Sequence, residues 1–164
     1  MSDFPTRARV VIIGGGAVGA SSLYHLCKAG WTDCVLLEKN ELTAGSTWHA
    51  AGNVPTFSSS WSIMNMQRYS AELYRRLGDE VDYPMNYNVT GSVRLGHTKE
   101  RLQEFQKVVG MGRYQGMDLN ILSPEDIKKV YPFVETHDLT GALHDPYDGD
   151  IDPAQLTQAL AKGA

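Results

Sequence analysis

Three features in the first third of the chain set ligand-binding or reactive groups at meaningful spacing. They are the turn Gly14-Gly15-Gly16-Ala17-Val18-Gly19, the acid Glu38, and the octapeptide Gly45-Ser46-Thr47-Trp48-His49-Ala50-Ala51-Gly52. The turn fits GxGxxG. Gly14 permits the tight bend, Gly16 has no β-carbon to block a diphosphate, and Gly19 lets the following helix approach the strand. That helix, opening at Ala17 and Val18, directs unpaired N–H groups and roughly half a unit of positive charge at phosphates. Glu38 lies 24 residues beyond Gly14. A carboxylate there accepts hydrogen bonds from two ribose hydroxyls and repels a phosphorylated ribose, which selects NAD or FAD over NADP. The pattern does not choose between those two.

The octapeptide follows the acid at the end of a second strand, on the side of the sheet where bound dinucleotides sit. Ser46 and Thr47 can donate to phosphate or cap a short helix. Ala50, Ala51 and Gly52 leave room for a flat ring against the backbone. Lys39, Gly45, Trp48 and Asn53 complete the candidate set around His49. A neutral imidazole nitrogen is a nucleophile, which a lysine or arginine in its ordinary charged state is not. The bland alternative is a helix-start histidine with a single backbone hydrogen bond.

The elements that must hold these groups are legible in the pattern. Arg9 to Ile13 is a β-branched run ending in glycines, as a buried parallel strand does. Ala17 to Ala29 turns helical, with Gly30 suited to the position after the helix end. Cys34 to Leu37 is a second strand, so the chain opens as β-α-β. Trp61 to Gly78 is an amphipathic helix with Ile63, Met64, Met66, Tyr69, Leu73, Tyr74 and Leu77 on one broad face, all expected in core contacts. Tyr87 to Leu95 reads as one strand interrupted by glycine. Thr98 and Ser123 cap two further helices, "MDLNIL" is a short strand, and Leu139 to His144 is another. A last helix has Asp152 as N-cap, Pro153 at its first position and Gln155 closing a capping box.

From about Asn86 the β-α-β rhythm is lost. The expected division is a Rossmann-like dinucleotide-binding portion over 1–85, the first part of a mixed α+β substrate domain over 86–150, and a helix returning to the first region over 151–164. The final helix reaches Ala164 with no element to feed, which suggests a truncated chain that is inactive and poorly folded alone.

Composition narrows the function class. The chain has 164 residues, 42% hydrophobic, with 15 basic and 19 acidic residues and a net charge of −4. No basic block tracks a phosphate backbone, so nucleic acid is not an expected partner. No run approaches the roughly 18 apolar residues of a membrane span, and the start, "MSDFPTRARVVIIGGG", lacks a secretory or transit pattern. The expected compartment is the cytoplasm. Cys27 and Cys34 lack metal or redox spacing and read as reduced packing residues. Asp145, Asp148, Asp150 and Asp152 do not match a calcium loop; turn formation and capping account for them. His25, His97, His137 and His144 carry no further signal, and no metal site is expected.

"VVIIGGGAVGASSLYHL", "VLLEKNELTAGSTWHAAG" and "GALHDPYDGDIDP" resemble the amino-terminal part of the dimethylglycine and sarcosine dehydrogenases and related oxidases, within the D-amino-acid-oxidase-like flavoproteins. The resemblance covers nearly all 164 residues, and its most specific element is "GSTWHAAG". It implies FAD carried covalently by the histidine at position 49. It also implies oxidation of the N-methyl group of a small secondary or tertiary amino acid by hydride transfer to the flavin. The acceptor is then an electron-transfer flavoprotein or oxygen, and in many members a carboxyl-terminal region binds tetrahydrofolate. Catalytic residues lie, in that family, beyond Ala164. The competing readings are a non-catalytic regulatory protein of the pyruvate dehydrogenase phosphatase regulatory subunit type, and an NAD-dependent Rossmann dehydrogenase.

Overall fold

The computed structural model describes residues 5–164. In chain order the elements are β1 (Val10–Ile13), α1 (Ala17–Lys28), β2 (Cys34–Leu37), β3 (Asn53–Val54), α2 (Trp61–Glu80), β4 (Tyr87–Val89), β5 (Ser92–Gly96), α3 (Lys99–Tyr114), β6 (Asn120–Leu122), α4 (Pro124–Val130), β7 (Gly141–Asp145), β8 (Gly149–Ile151) and α5 (Pro153–Gly163). They form two compact units. One takes the chain up to Gly52, Leu73–Tyr87 and Ile151–Ala164; the other takes Asn53–Glu72 and Asn88–Asp150.

In the first unit β1 and β2 pair in parallel, Val10 opposite Cys34 through Ile13 opposite Leu37. The crossover is α1, which buries Ala20 and Tyr24 and lies against α5. Gly30, with φ of +86°, follows the helix end as the sequence predicts. Helix α5 buries Leu156, Thr157, Ala159 and Leu160. Its N-cap is Asp152, whose Oδ1 accepts from the N–H groups of Ala154 and Gln155 at 2.8 and 3.0 Å. The predicted capping box does not close. Gln155 Oε1 instead accepts from the Asn86 N–H at 2.6 Å, and the Asp152 N–H donates to the Asn86 carbonyl at 3.1 Å. A neighbouring chain segment satisfies the donor that the reciprocal side chain was expected to take.

The second unit is built on the antiparallel sheet β5-β7-β6, with Val93 opposite His144 and Ile121 opposite Leu143. One core gathers Phe57, Met64, Phe105, Val108, Val109, Met117, Leu119 and Leu143. A second gathers Ile127, Leu139 and Ala142 with Val93, Leu95 and Leu122. Thr98 and Ser123 cap α3 and α4 as predicted, accepting from the N–H groups of Arg101 and Asp126. A smaller sheet, β3-β8-β4, sets Asn53 opposite Asp150 and Val54 opposite Gly149.

Three expectations change. Residues 53–72, assigned from sequence to the first region, group with the second, because Phe57 and Met64 pack against Phe105, Val108 and Leu143. The single strand expected over 87–95 is two strands in different sheets. Gly91, with φ of +72°, turns the chain between them while its N–H donates to the Asp148 carbonyl at 2.8 Å. On α2, Met64, Ala71, Leu73 and Leu77 are buried, but Ile63, Met66 and Tyr69 are exposed. Of the buried residues, Met64 and Ala71 belong to the second unit and Leu73 and Leu77 to the first, so the broad face expected from the pattern is narrower in the structure. No helix among the described residues is long and apolar enough to cross a membrane.

Candidate functional site

Of the predicted site residues, Gly14, Gly16, Ala17, Gly19, Glu38 and Thr47 gather around the end of β1. Gly14 has φ of +107°, a conformation that favours glycine, and its N–H donates to the Leu37 carbonyl at 2.8 Å, fixing the turn to the end of β2. A β-carbon on Gly19 would stand 1.9 Å from the Gly14 carbonyl oxygen, so the close approach of helix to turn requires glycine there.

Glu38 follows β2 directly and is held by the turn. The Gly15 N–H donates to its Oε2 at 2.7 Å and the Asn40 N–H to its Oε1 at 2.9 Å. These bonds, Gly15 first, hold its carboxyl below the ordinary glutamate pKa. Each oxygen keeps further lone-pair capacity for a hydroxyl donor. The Thr43 N–H closes the loop onto the Gly15 carbonyl at 3.0 Å, with Thr43 itself at φ of +75°.

The octapeptide is anchored to the same turn. Thr47 Oγ1 accepts from the Ala17 N–H at 3.0 Å, satisfying one of the orphan donors at the start of α1. A β-carbon on Gly16 would lie 2.8 Å from that same oxygen. The anticipated capping by Thr47 therefore falls on α1 rather than on a short local helix. The Ala50 N–H donates to the Thr47 carbonyl at 3.1 Å, so the loop is a run of turns.

His49 is exposed. Its Nδ1 lies 3.1 Å from the Gly45 carbonyl and its ring 4.5 Å from that of Trp48. A carbonyl only accepts, so in the neutral ring Nδ1 carries the proton and Nε2 keeps its lone pair. The single backbone bond of the bland alternative is thus present, and it selects the tautomer with a nucleophilic outer nitrogen.

The remaining predicted residues divide. Lys39, Val18, Ser46, Ala50 and Ala51 are exposed beside these groups. Gly52, with φ of +78°, accepts from the Ile151 N–H at 2.9 Å. Asn53 opens β3 and belongs to the second unit. Sequence reasoning passed over Gly15, the middle glycine of the turn, and Asn40. Their backbone N–H groups hold Glu38, and the only available signal was that the acid directly follows a strand ending beside the turn.

A parallel β-α-β unit with a glycine turn at the helix start, and an acid bonded to that turn from the next strand, defines a dinucleotide-binding fold. Similarity to known proteins takes this further. The FAD dependent oxidoreductase family matches residues 9–164. The chain is 43% identical over 162 residues to dimethylglycine dehydrogenase, mitochondrial, of Rattus norvegicus, covering 99% of this chain and 19% of that one. It is 39% identical over 160 residues to the mitochondrial pyruvate dehydrogenase phosphatase regulatory subunit of Mus musculus, covering 98% and 18%. Among solved structures, L-proline dehydrogenase from P. horikoshii superposes with a TM-score of 0.87 at 25% identity, over 98% of this chain and 42% of that one. The chain belongs to the FAD-dependent oxidoreductase family. It spans about a fifth of the length of the curated relatives it matches.

Proposed function

We propose that this chain is the amino-terminal part of an FAD-dependent amine oxidoreductase that oxidises the N-methyl group of a small amino acid of the dimethylglycine or sarcosine type. His49 would carry the flavin covalently. The observation that carries this reading is the bond from the Ala17 N–H to Thr47 Oγ1, which ties the histidine loop to the glycine turn. The same loop carries an exposed imidazole, His49, whose Nδ1 lies against the Gly45 carbonyl and leaves Nε2 the nitrogen available for attachment.

The residues present fit such a group. The space beside Gly14 is open, with nothing within 4 Å of where a β-carbon would stand, and the N–H groups of the first turn of α1 beyond Ala17 favour a diphosphate. Glu38, already oriented by Gly15 and Asn40, would accept from the ribose hydroxyls. Thr47 would hold the loop, and the Gly45 carbonyl would keep the His49 proton on Nδ1 so that Nε2 faces outward. Bound FAD would supply the oxidising power, accepting two electrons and a hydrogen from the substrate. An imidazole substituent withdraws electrons from the ring and makes it a better oxidant. The substrate pocket, the electron acceptor (electron-transfer flavoprotein or oxygen) and any tetrahydrofolate site belong to the rest of the protein.

The similarity to a phosphatase regulatory subunit favours a second, non-catalytic reading. A visible spectrum separates the two. The full-length protein is expected to be yellow, with the colour retained in the acid-precipitated pellet, and His49→Ala to lose flavin or release it to the acid supernatant. A colourless wild type supports the regulatory reading, and acid-stable colour in His49→Ala removes the tether assignment.

A further inference from the structure

Arg94 sits in the middle of β5, half-buried, with its guanidinium carbon 3.7 Å from the centroid of the Phe57 ring. Among the described residues the Arg94 side chain has no hydrogen-bond or ion-pair partner. The acids closest to it are committed elsewhere. Asp145 accepts from the Thr56 hydroxyl at 2.7 Å and from the Tyr147 N–H at 2.8 Å. Asp148 accepts from the Thr56 N–H at 2.6 Å and from the Ser92 hydroxyl. Both act on Arg94 only through space, and burial outweighs them, pushing the guanidinium below its ordinary pKa.

A guanidinium has five N–H donors in a planar fork that matches a carboxylate. Here one face lies on an aromatic ring and the donors are unspent. Arg94 lines a cavity of about 430 Å³ together with Asn53, Thr90, Ser92, Asp148 and Asp150. The two aspartates disfavour a polyanion, while Ser92, Thr90 and Asn53 offer short polar contacts to a small ligand. We propose that this cleft binds a small monocarboxylate, either a simple acid or an amino acid, held by the Arg94 guanidinium against Phe57. The site lies wholly within the second unit and does not depend on the flavin assignment.

The test is titration of the full-length protein with carboxyl-¹³C acetate and glycine, followed by ligand linewidth, with acetamide as the neutral control of equal shape. Saturable binding of acetate, glycine or both, but not acetamide, is expected; which of the two carboxylates binds more tightly identifies the source. Arg94→Met should weaken that binding by about thirtyfold or more, with Arg94→Lys between the two because it keeps the charge and loses the fork. Flavin content and thermal midpoint report that each variant remains folded, and binding in Arg94→Lys keeps the test decisive if Arg94→Met does not. Absence of carboxylate binding to the wild type, or equal binding to wild type and a folded Arg94→Met, overturns the proposal. Acid-stable flavin in Arg94→Met leaves the tether reading intact whichever way the titration falls.

Discussion

Glu38 in the first unit and Asp145 in the second are both carboxylates held by two protein donors, yet their protonation equilibria move in opposite directions. Glu38 accepts two backbone N–H bonds at a partly open position, and its pKa falls. Asp145 accepts from the Thr56 hydroxyl and the Tyr147 N–H, but it is fully buried and shares its surroundings with Asp148, and its pKa is pushed up to about 6. Hydrogen bonds to the charged form win where water still reaches the group; burial and a second acid win where it does not. The first arrangement is open to a ligand, and the second locks the segments around Thr56, Ser92 and Tyr147 together.

Removing each carboxylate should expose this contrast most strongly. Asp145→Ala leaves the buried Thr56 hydroxyl without its acceptor and removes the bond from the half-buried Tyr147 N–H, and should destabilise the protein by about 2 kcal/mol, read as a lowered thermal midpoint. Glu38→Ala, whose donors are reached by water, should lower it far less. Equal losses would erase the distinction.

The pH dependence sharpens the same comparison. An acid whose folded pKa is raised binds its proton more tightly in the folded state. Asp145 therefore contributes stability fully present below the unfolded value of 3.8 and lost as pH rises through about 6. Glu38, with a lowered folded pKa, contributes stability present above 4.5 and lost as pH falls through its folded value. Measured by denaturant unfolding, wild type should gain on Asp145→Asn as pH falls from about 6 toward 4. It should lose ground to Glu38→Gln as pH falls below about 4.5. A parallel slope for the two pairs would contradict the assignment.

The smallest effect is expected at Thr47. Thr47→Val keeps the shape but removes the acceptor for the Ala17 N–H and should cost about 1 kcal/mol, the usual worth of an N-terminal cap, while Thr47→Ser should be near neutral by thermal midpoint. The pairing of Thr47 with α1 also shows where sequence reading stops. A hydroxyl able to cap was recognised, but its partner lay 30 residues away.

What was legible follows the same rule. The glycine turn, β1, α1 and β2, and the caps Thr98, Ser123 and Asp152 are set by residues within a few positions of one another, and each stands where the pattern put it. The two-residue β3 and three-residue β8 have no periodicity of their own, and they exist because Asn53 meets Asp150 across the chain. The acids Asp145 and Asp148 read as turn residues, yet Thr56 draws both into the interior. For the candidate site, the residue types were legible and their mutual support was not. Gly15 passed as a spacer although its N–H orients Glu38, and the Gly45 carbonyl that fixes the His49 tautomer had no signature.

The most direct measurement of the central claim is the mass and fluorescence of peptides from a protease digest of the full-length protein. The account predicts a single flavin-bearing peptide that contains His49, with the added mass on that imidazole. A flavin adduct on any other residue, or a His49 peptide of unmodified mass from a protein that retains flavin, would contradict it.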